Sequence, residues 1–175
     1  MGRCSFTMIA LGFLCLLLPV QSPGDIATVS ARKAAPDFSL VDSQDIRIKL
    51  SAYRGKVVLL DFWETFCGGC MIEIPWYMEF QNKYKDDGFA AIGVSMDDDG
   101  WKSVKPFLKK MPVNYPIVIG NQDLANRYGG ITSFPLTLLI DRNGKIAESH
   151  AGMVDKSTFE NEIKTLLQEK PTSNR

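Results

Sequence analysis

Neither sign of charge predominates in this chain. Twenty Lys and Arg face 20 Asp and Glu across 175 residues, with a single histidine beside them. A phosphate-binding surface needs an excess of basic side chains, so the balance argues against a nucleic-acid partner. Cysteine is scarce as well. Of the four, Cys4 and Cys15 fall in an N-terminal stretch with the pattern of a leader, which leaves Cys67 and Cys70 for the mature domain. A secreted domain stapled by disulfides carries several spaced pairs, and a structural zinc site takes four ligands. Two cysteines and one histidine supply neither. There is no apolar run of the ~20 residues that a membrane span takes, no repeat and no low-complexity tract. What is present, 45% apolar and 23% charged residues, is the composition of one globular domain.

The leader is read from its charge and length. Arg3 is the only charge before Asp25, and an unbroken apolar run from Phe6 to Leu18 stops at Pro19. This predicts a secretory signal or a retained anchor over residues 1–22, with the cleavage position open because Pro23 follows Ser22. Residues 23–34 are small and polar and read as a linker. The domain then occupies 35–170, with a frayed tail at 171–175.

Within the domain the patterning alternates. Phe38–Leu40 and Ile46–Leu50 flank a polar turn and predict a short hairpin. Val57–Phe62 is an apolar run of the kind buried on both faces of a sheet. A helix is expected over 68–84, its buried face marked by Ile72, Trp76, Phe80 and Tyr84. Phe89–Ser95 reads as a second buried strand. Trp101–Met111 reads as a helix that Pro106 either kinks or restarts, Ile117–Ile119 as a strand, and Gln122–Tyr128 as a short helix. Leu136–Ile140 and Lys145–His150 flank Arg142-Asn143-Gly144, a strong hairpin signal. The closing helix is expected to start near Asp155 or Ser157, where Ser157 and Glu160 offer a capping box. The order implies an α/β fold with a mixed sheet.

The chemistry concentrates at Asp61-Phe62-Trp63-Glu64-Thr65-Phe66-Cys67-Gly68-Gly69-Cys70, where a buried strand opens into a helix. Free N–H groups and the positive end of the helix dipole stabilise a thiolate at Cys67, and Cys70, one turn on, faces back to resolve a mixed disulfide. A loop this short constrains the unfolded chain little, so the pair is there for reaction and not for stability. Cys67 should be exposed and Cys70 shielded. Asp61 ends an apolar strand, where burial raises a carboxyl pKa and suits it to shuttle a proton. Asp97-Asp98-Asp99 lacks the alternation of a calcium loop and reads as a solvated helix start. His150 reads as structural or surface.

These residues resemble the thioredoxin superfamily and, within it, the exported TlpA/ResA-like branch. The resemblance covers about Ala35 to Leu167. It rests on Ala35-Pro36-Asp37-Phe38, the Phe-Trp-x-x-x-Cys-x-x-Cys core, Glu73 and Pro75 after it, Phe134-Pro135, and the extra strand–helix unit between Phe89 and Ile119. Phe66 stands where Trp is commoner, and Gly68-Gly69 lacks the usual Pro. The resemblance implies a thioredoxin fold with helices on both faces of the sheet. It also implies a cis Pro135 facing the thiols, Phe134 and Trp63 beside the substrate, and Glu73 as the acid serving Cys70. No cofactor beyond the dithiol is implied. The implied activity is reduction of partner-protein disulfides outside the cytoplasm, cytochrome c maturation included, with electrons from a membrane thiol carrier.

Three other readings share some of these features. A peroxiredoxin would need Pro and Thr seven and three positions before the cysteine, where this chain has Leu60 and Glu64. A copper-carrying module of the Sco kind has cysteines four apart and would need His150 as a ligand. An oxidising disulfide donor would need a far more stabilised thiolate.

Overall fold

The structure, a computed structural model, describes residues 26–170. The leader over 1–22, with Cys4 and Cys15, and the tail at 171–175 lie outside the described residues. Among those described, no helix is long and apolar enough to cross a membrane.

The apolar run forms β4 (Val57–Trp63), in which every residue is buried. It is flanked by a parallel β5 (Phe89–Ser95) and an antiparallel β7 (Leu136–Ile140), each longer pairing closing another side of the central strand. Beyond β5 lies β6 (Ile117–Ile119), and beyond β7 lie β8 (Lys145–Ala151) and β1 (Lys33–Ala34). The sheet order is β1-β8-β7-β4-β5-β6, mixed as expected. The N-terminal hairpin of β2 (Ser39–Val41) and β3 (Arg47–Lys49) stands apart as a second sheet. Asp42 Oδ1 holds its turn by accepting the N–H groups of Gln44 and Ile46.

Alternation along β4 splits the core. Val57, Leu59 and Trp63 face α1 (Gly68–Tyr84), α2 (Trp101–Lys110) and α4 (Lys156–Gln168). Val58, Leu60 and Phe62 face the hairpin and α3 (Gln122–Arg127). Each fully buried Leu, Ile or Phe contributes about 1.5–3 kcal/mol, so this double-sided burial fixes both the register and the position of whatever follows Trp63. Gly93, the β5 partner of Asp61, is required by crowding: a Cβ there would meet Trp63 Nε1 at 3.1 Å and Ile117 Cδ1 at 2.5 Å.

Several expectations change. The stretch read as a linker is tied into the domain from residue 26 onward. Lys33–Ala34 pairs with β8, and Arg32 is buried between Asp141 and Glu169. On α1 the buried face is Cys70, Glu73, Ile74, Tyr77, Phe80 and Tyr84, while Ile72 is exposed and Trp76 only partly covered. A strict spacing of four drifts off a helix face of period 3.6. The capping box does not form: α4 is preceded by Asp155, which makes no side-chain cap bond. Glu160 instead takes Lys83 and the Tyr84 hydroxyl, tying α4 to α1. Pro106 lies inside a continuous α2.

Candidate active site

Cys67 sits where β4 hands the chain to α1. Thr65 fixes the connection, its backbone N–H and hydroxyl both donating to the Asp97 carboxylate. Asp97 also accepts from the Ser95 hydroxyl and is 8% exposed. The Asp run is therefore not a uniformly solvated helix start; its first member is the buried anchor of the cysteine loop. The contact that reveals this comes from Thr65, 32 residues earlier, and sequence spacing carries no such signal.

Cys67 is the N-cap of α1, with extended φ −80° and ψ 108°, and its Sγ accepts the Cys70 N–H at 3.1 Å. The same N–H, with the helix dipole, would favour a thiolate on the reduced sulfur. Cys67 is half-buried, Cys70 is 0% exposed, and neighbouring Phe66 is 89% exposed. The sulfurs are joined as a disulfide with Cα atoms 5.2 Å apart.

Two carboxylates are buried on the elements that flank the pair, Asp61 on β4 and Glu73 on α1. Asp61 is 1% exposed and Glu73 0%. Burial pushes the Asp61 carboxyl well above its ordinary value, and the charge of Glu73 adds to the push. Burial also raises Glu73, against hydrogen bonds from the Tyr77 hydroxyl and Val154 N–H and the pull of His150. Asp61 is not the solvated end of a strand, and Glu73 is not a surface acid of the first turn.

Phe134-Pro135 is a cis peptide bond, and Pro135 is buried. A Cβ added at Gly69 would meet Pro135 Cδ and Met153 Cγ at 3.2 Å each, so the proline loop and the turn after β8 both press on the start of α1. Phe134 lines an open groove of ≈ 380 Å³ with Glu64, Met96, Asp97, Asp98 and Ile131. Burial raises the Glu64 pKa there, with Asp97 and Asp98 adding like-charge repulsion. Trp63 is placed differently from its expected substrate-facing role. It is 0% exposed, its ring packed against Phe107 with centroids 4.9 Å apart, so it supports the site from the core. Met153, 50% exposed over Gly69, is a site residue that the sequence reading missed.

His150 is engaged elsewhere. Its Nε2 lies 2.8 Å from Glu162 Oε2, and that bond raises the imidazole pKa. Glu148 completes a group whose ligand atoms lie within 4.8 Å of one another. Coordination takes a neutral imidazole, so a carboxylate that favours the protonated ring works against metal binding there, and the same ring pulls the Glu73 pKa down.

Comparison with known proteins agrees with this geometry. A family model described as Redoxin matches residues 30–167. The chain is 33% identical over 138 residues to the thiol-disulfide oxidoreductase ResA of Geobacillus kaustophilus, covering 79% of each. It is 31% identical over 130 residues to the thioredoxin-like protein YneN of Bacillus subtilis, covering 74% of this chain and 76% of that one. Among solved structures, a thiol:disulfide interchange protein of the thioredoxin family from Chlorobium tepidum superposes with a TM-score of 0.71 at 26% identity, covering 78% of this chain and 97% of its own. With a strand-to-helix cysteine pair on a mixed sheet and a family match across the whole described domain, the chain belongs to the Redoxin family and is a ResA-like thiol–disulfide oxidoreductase of thioredoxin fold.

Proposed function

We propose that the protein reduces disulfides of partner proteins outside the cytoplasm, Cys67 attacking and Cys70 resolving. The observation that carries this is the asymmetry of the pair: Cys67 is half-buried at a helix start, and Cys70 is fully buried one turn before the buried Glu73. The Cys67 thiolate attacks one partner sulfur and expels the other as a thiolate. Cys70 then loses its proton and attacks the Cys67 sulfur, and the partner leaves reduced. Glu73 and Asp61 handle that proton, while Pro135 and Phe134 face the incoming chain. Export is supported by the apolar segment Phe6–Leu18 behind Arg3. The family resemblance favours a reductive pathway such as cytochrome c maturation, fed by a membrane thiol carrier. No cofactor beyond the dithiol enters the cycle.

The equilibrium potential against glutathione tests the direction. The turn carries neither a histidine nor a basic side chain beside Cys67, so the thiolate lacks the extreme stabilisation of an oxidant. The potential is expected nearer about −270 mV than about −120 mV. A value above about −150 mV, with Cys67 titrating below about 5, makes the protein a disulfide donor instead.

Glu73→Gln tests the acid. A base must be ionised to act, so the resolving step should speed up as pH rises through the elevated Glu73 pKa. The Gln variant should lose that rise and stay folded. Stopped-flow rates between about pH 5 and 9 decide it, and an unchanged profile removes Glu73 from proton transfer.

A further inference from the structure

Four buried oxygens form a continuous chain of contacts from Asp61 of β4 to Glu73 of α1. Asp61 Oδ1 lies 3.4 Å from Thr137 Oγ1, Thr137 Oγ1 lies 2.9 Å from the Tyr77 hydroxyl, and that hydroxyl lies 2.7 Å from Glu73 Oε2. The four residues are 0–1% exposed. They come together because Thr137 is the β7 partner of Asp61, while Tyr77 stands one turn beyond Glu73 on the buried face of α1.

Counting hydrogens constrains the line. Three oxygen–oxygen contacts need three hydrogens, and two hydroxyls bring two. Where all three are hydrogen bonds, the third sits on a terminal carboxyl, and the two acids together hold one proton. Asp61 Oδ2 is buried with no partner among the described residues. An ionised Asp61 would leave that oxygen bare in an apolar site, whereas an ionised Glu73 keeps the Tyr77 O–H and Val154 N–H as donors. With both acids ionised, Thr137 donates to Asp61 across the long 3.4 Å contact and Tyr77 to Glu73; a proton on Asp61 turns the Thr137 hydroxyl round and gives the order Asp61 O–H to Thr137 O–H to Tyr77 O–H to the Glu73 carboxylate.

We propose that Thr137 and Tyr77 form a proton wire through which Asp61 and Glu73 act as one acid–base unit during resolution by Cys70. Moving each of the three hydrogens one place carries a net proton from Asp61 to Glu73 and exchanges which end is ionised. Neither hydroxyl is left charged. When Cys70 resolves, its proton goes to the ionised end and its sulfur bonds to Cys67. The bond from Cys67 to the partner breaks, and its electron pair leaves on the partner thiolate. The groups facing the line are Tyr115, beside Asp61 from the segment before β6, and His150 of β8, opposite Glu73 and paired with Glu162 of α4. Tyr77 and Thr137 are positioning residues, since they reach Cys70 only through the acids.

This rests on Cys70 being the resolving thiol, and the test separates the two ideas. Reduced protein is mixed with an aromatic disulfide whose two thiolates absorb visibly: attack by Cys67 releases the first, resolution by Cys70 the second. Tyr77→Phe and Thr137→Val should leave the first phase unchanged and slow the second at least about tenfold, with an altered pH profile. Thr137→Ser should restore most of the second-phase rate. In H2O/D2O mixtures the wild-type second phase should depend on deuterium fraction along a curve, because several hydrogens move together, and Tyr77→Phe should make it linear. Wild-type second-phase rates, profile and isotope dependence in both the Phe and Val variants overturn the wire. So does equal slowing of both phases, the sign of a structural defect. If Tyr77→Phe does not fold, the Val and Ser pair at Thr137 decides alone. A wild-type protein that releases no second thiolate fails the Cys70 assignment itself.

Discussion

Serine at Cys67 will abolish disulfide reduction, while serine at Cys70 will leave a protein that attacks once and stalls. The reason is access. Cys67 caps α1 half-buried beside an 89% exposed Phe66, less open than the sequence predicts but within a partner's reach; Cys70 has no exposed surface from which to begin. Cys67→Ser removes the nucleophile, and turnover should fall to background. Cys70→Ser keeps the nucleophile but removes the only other thiol among the described residues, so covalent complexes with partners should accumulate and dissolve on adding dithiothreitol. Alkylation of reduced wild-type protein should label Cys67 first. Faster labelling of Cys70 reverses the roles and sinks the mechanism.

Arg32→Ala will cost about 3–5 kcal/mol of stability, read as a lower urea midpoint at unchanged slope. Arg32 and Asp141 side chains are each 2% exposed, joined at 3.0 Å, and the guanidinium also forks onto both oxygens of Glu169 at 2.7 Å. Without Arg32 the Asp141 carboxylate is stranded in the interior. Asp141 Oδ1 also accepts the Asn143 and Lys145 N–H groups that shape the β7–β8 turn, so it cannot swing out to water freely. Adding Asp141→Asn to Arg32→Met should recover much of the loss, because Asn keeps the turn acceptor and removes the unpaired charge. Both variants should reduce disulfides normally once folded, since Asp141 lies at the end of β7 opposite Pro135. A loss of stability under about 1 kcal/mol would mean the pair is solvated or replaceable.

Where sequence was legible, one local pattern decided the structure. The run Val57–Phe62 could only be a central strand, and the α1 limits, Gly68 and Tyr84, match the expected ones because a thiol cap and an apolar face agree. The cis Phe134-Pro135 and the shielded Cys70 were likewise expected. What escaped were polar groups whose burial depends on a partner far along the chain. Arg32 reads as linker until Asp141, 109 residues on, is placed against it. Tyr77 and Thr137 look like ordinary helix and strand residues until the sheet brings them within 2.9 Å. Glu73 and Tyr77 also blur the helix pattern itself, since two polar side chains satisfying each other occupy its core face while Ile72 turns outward. Trp63, expected beside the substrate, went inward because it continues the face set by Val57 and Leu59.

The two glycines between the cysteines are not equivalent. Nothing lies within 4 Å of a Cβ at Gly68, while one at Gly69 would be wedged 3.2 Å from both Pro135 and Met153. The dipeptide is a tuning dial with one free setting. Side chains at 68 can vary the electrostatic surroundings of Cys67 without touching the proline loop. Position 69 is held by the Phe134-Pro135 loop, so any larger residue there presses on that loop as well as on the start of α1, whereas a change at 68 leaves the loop alone.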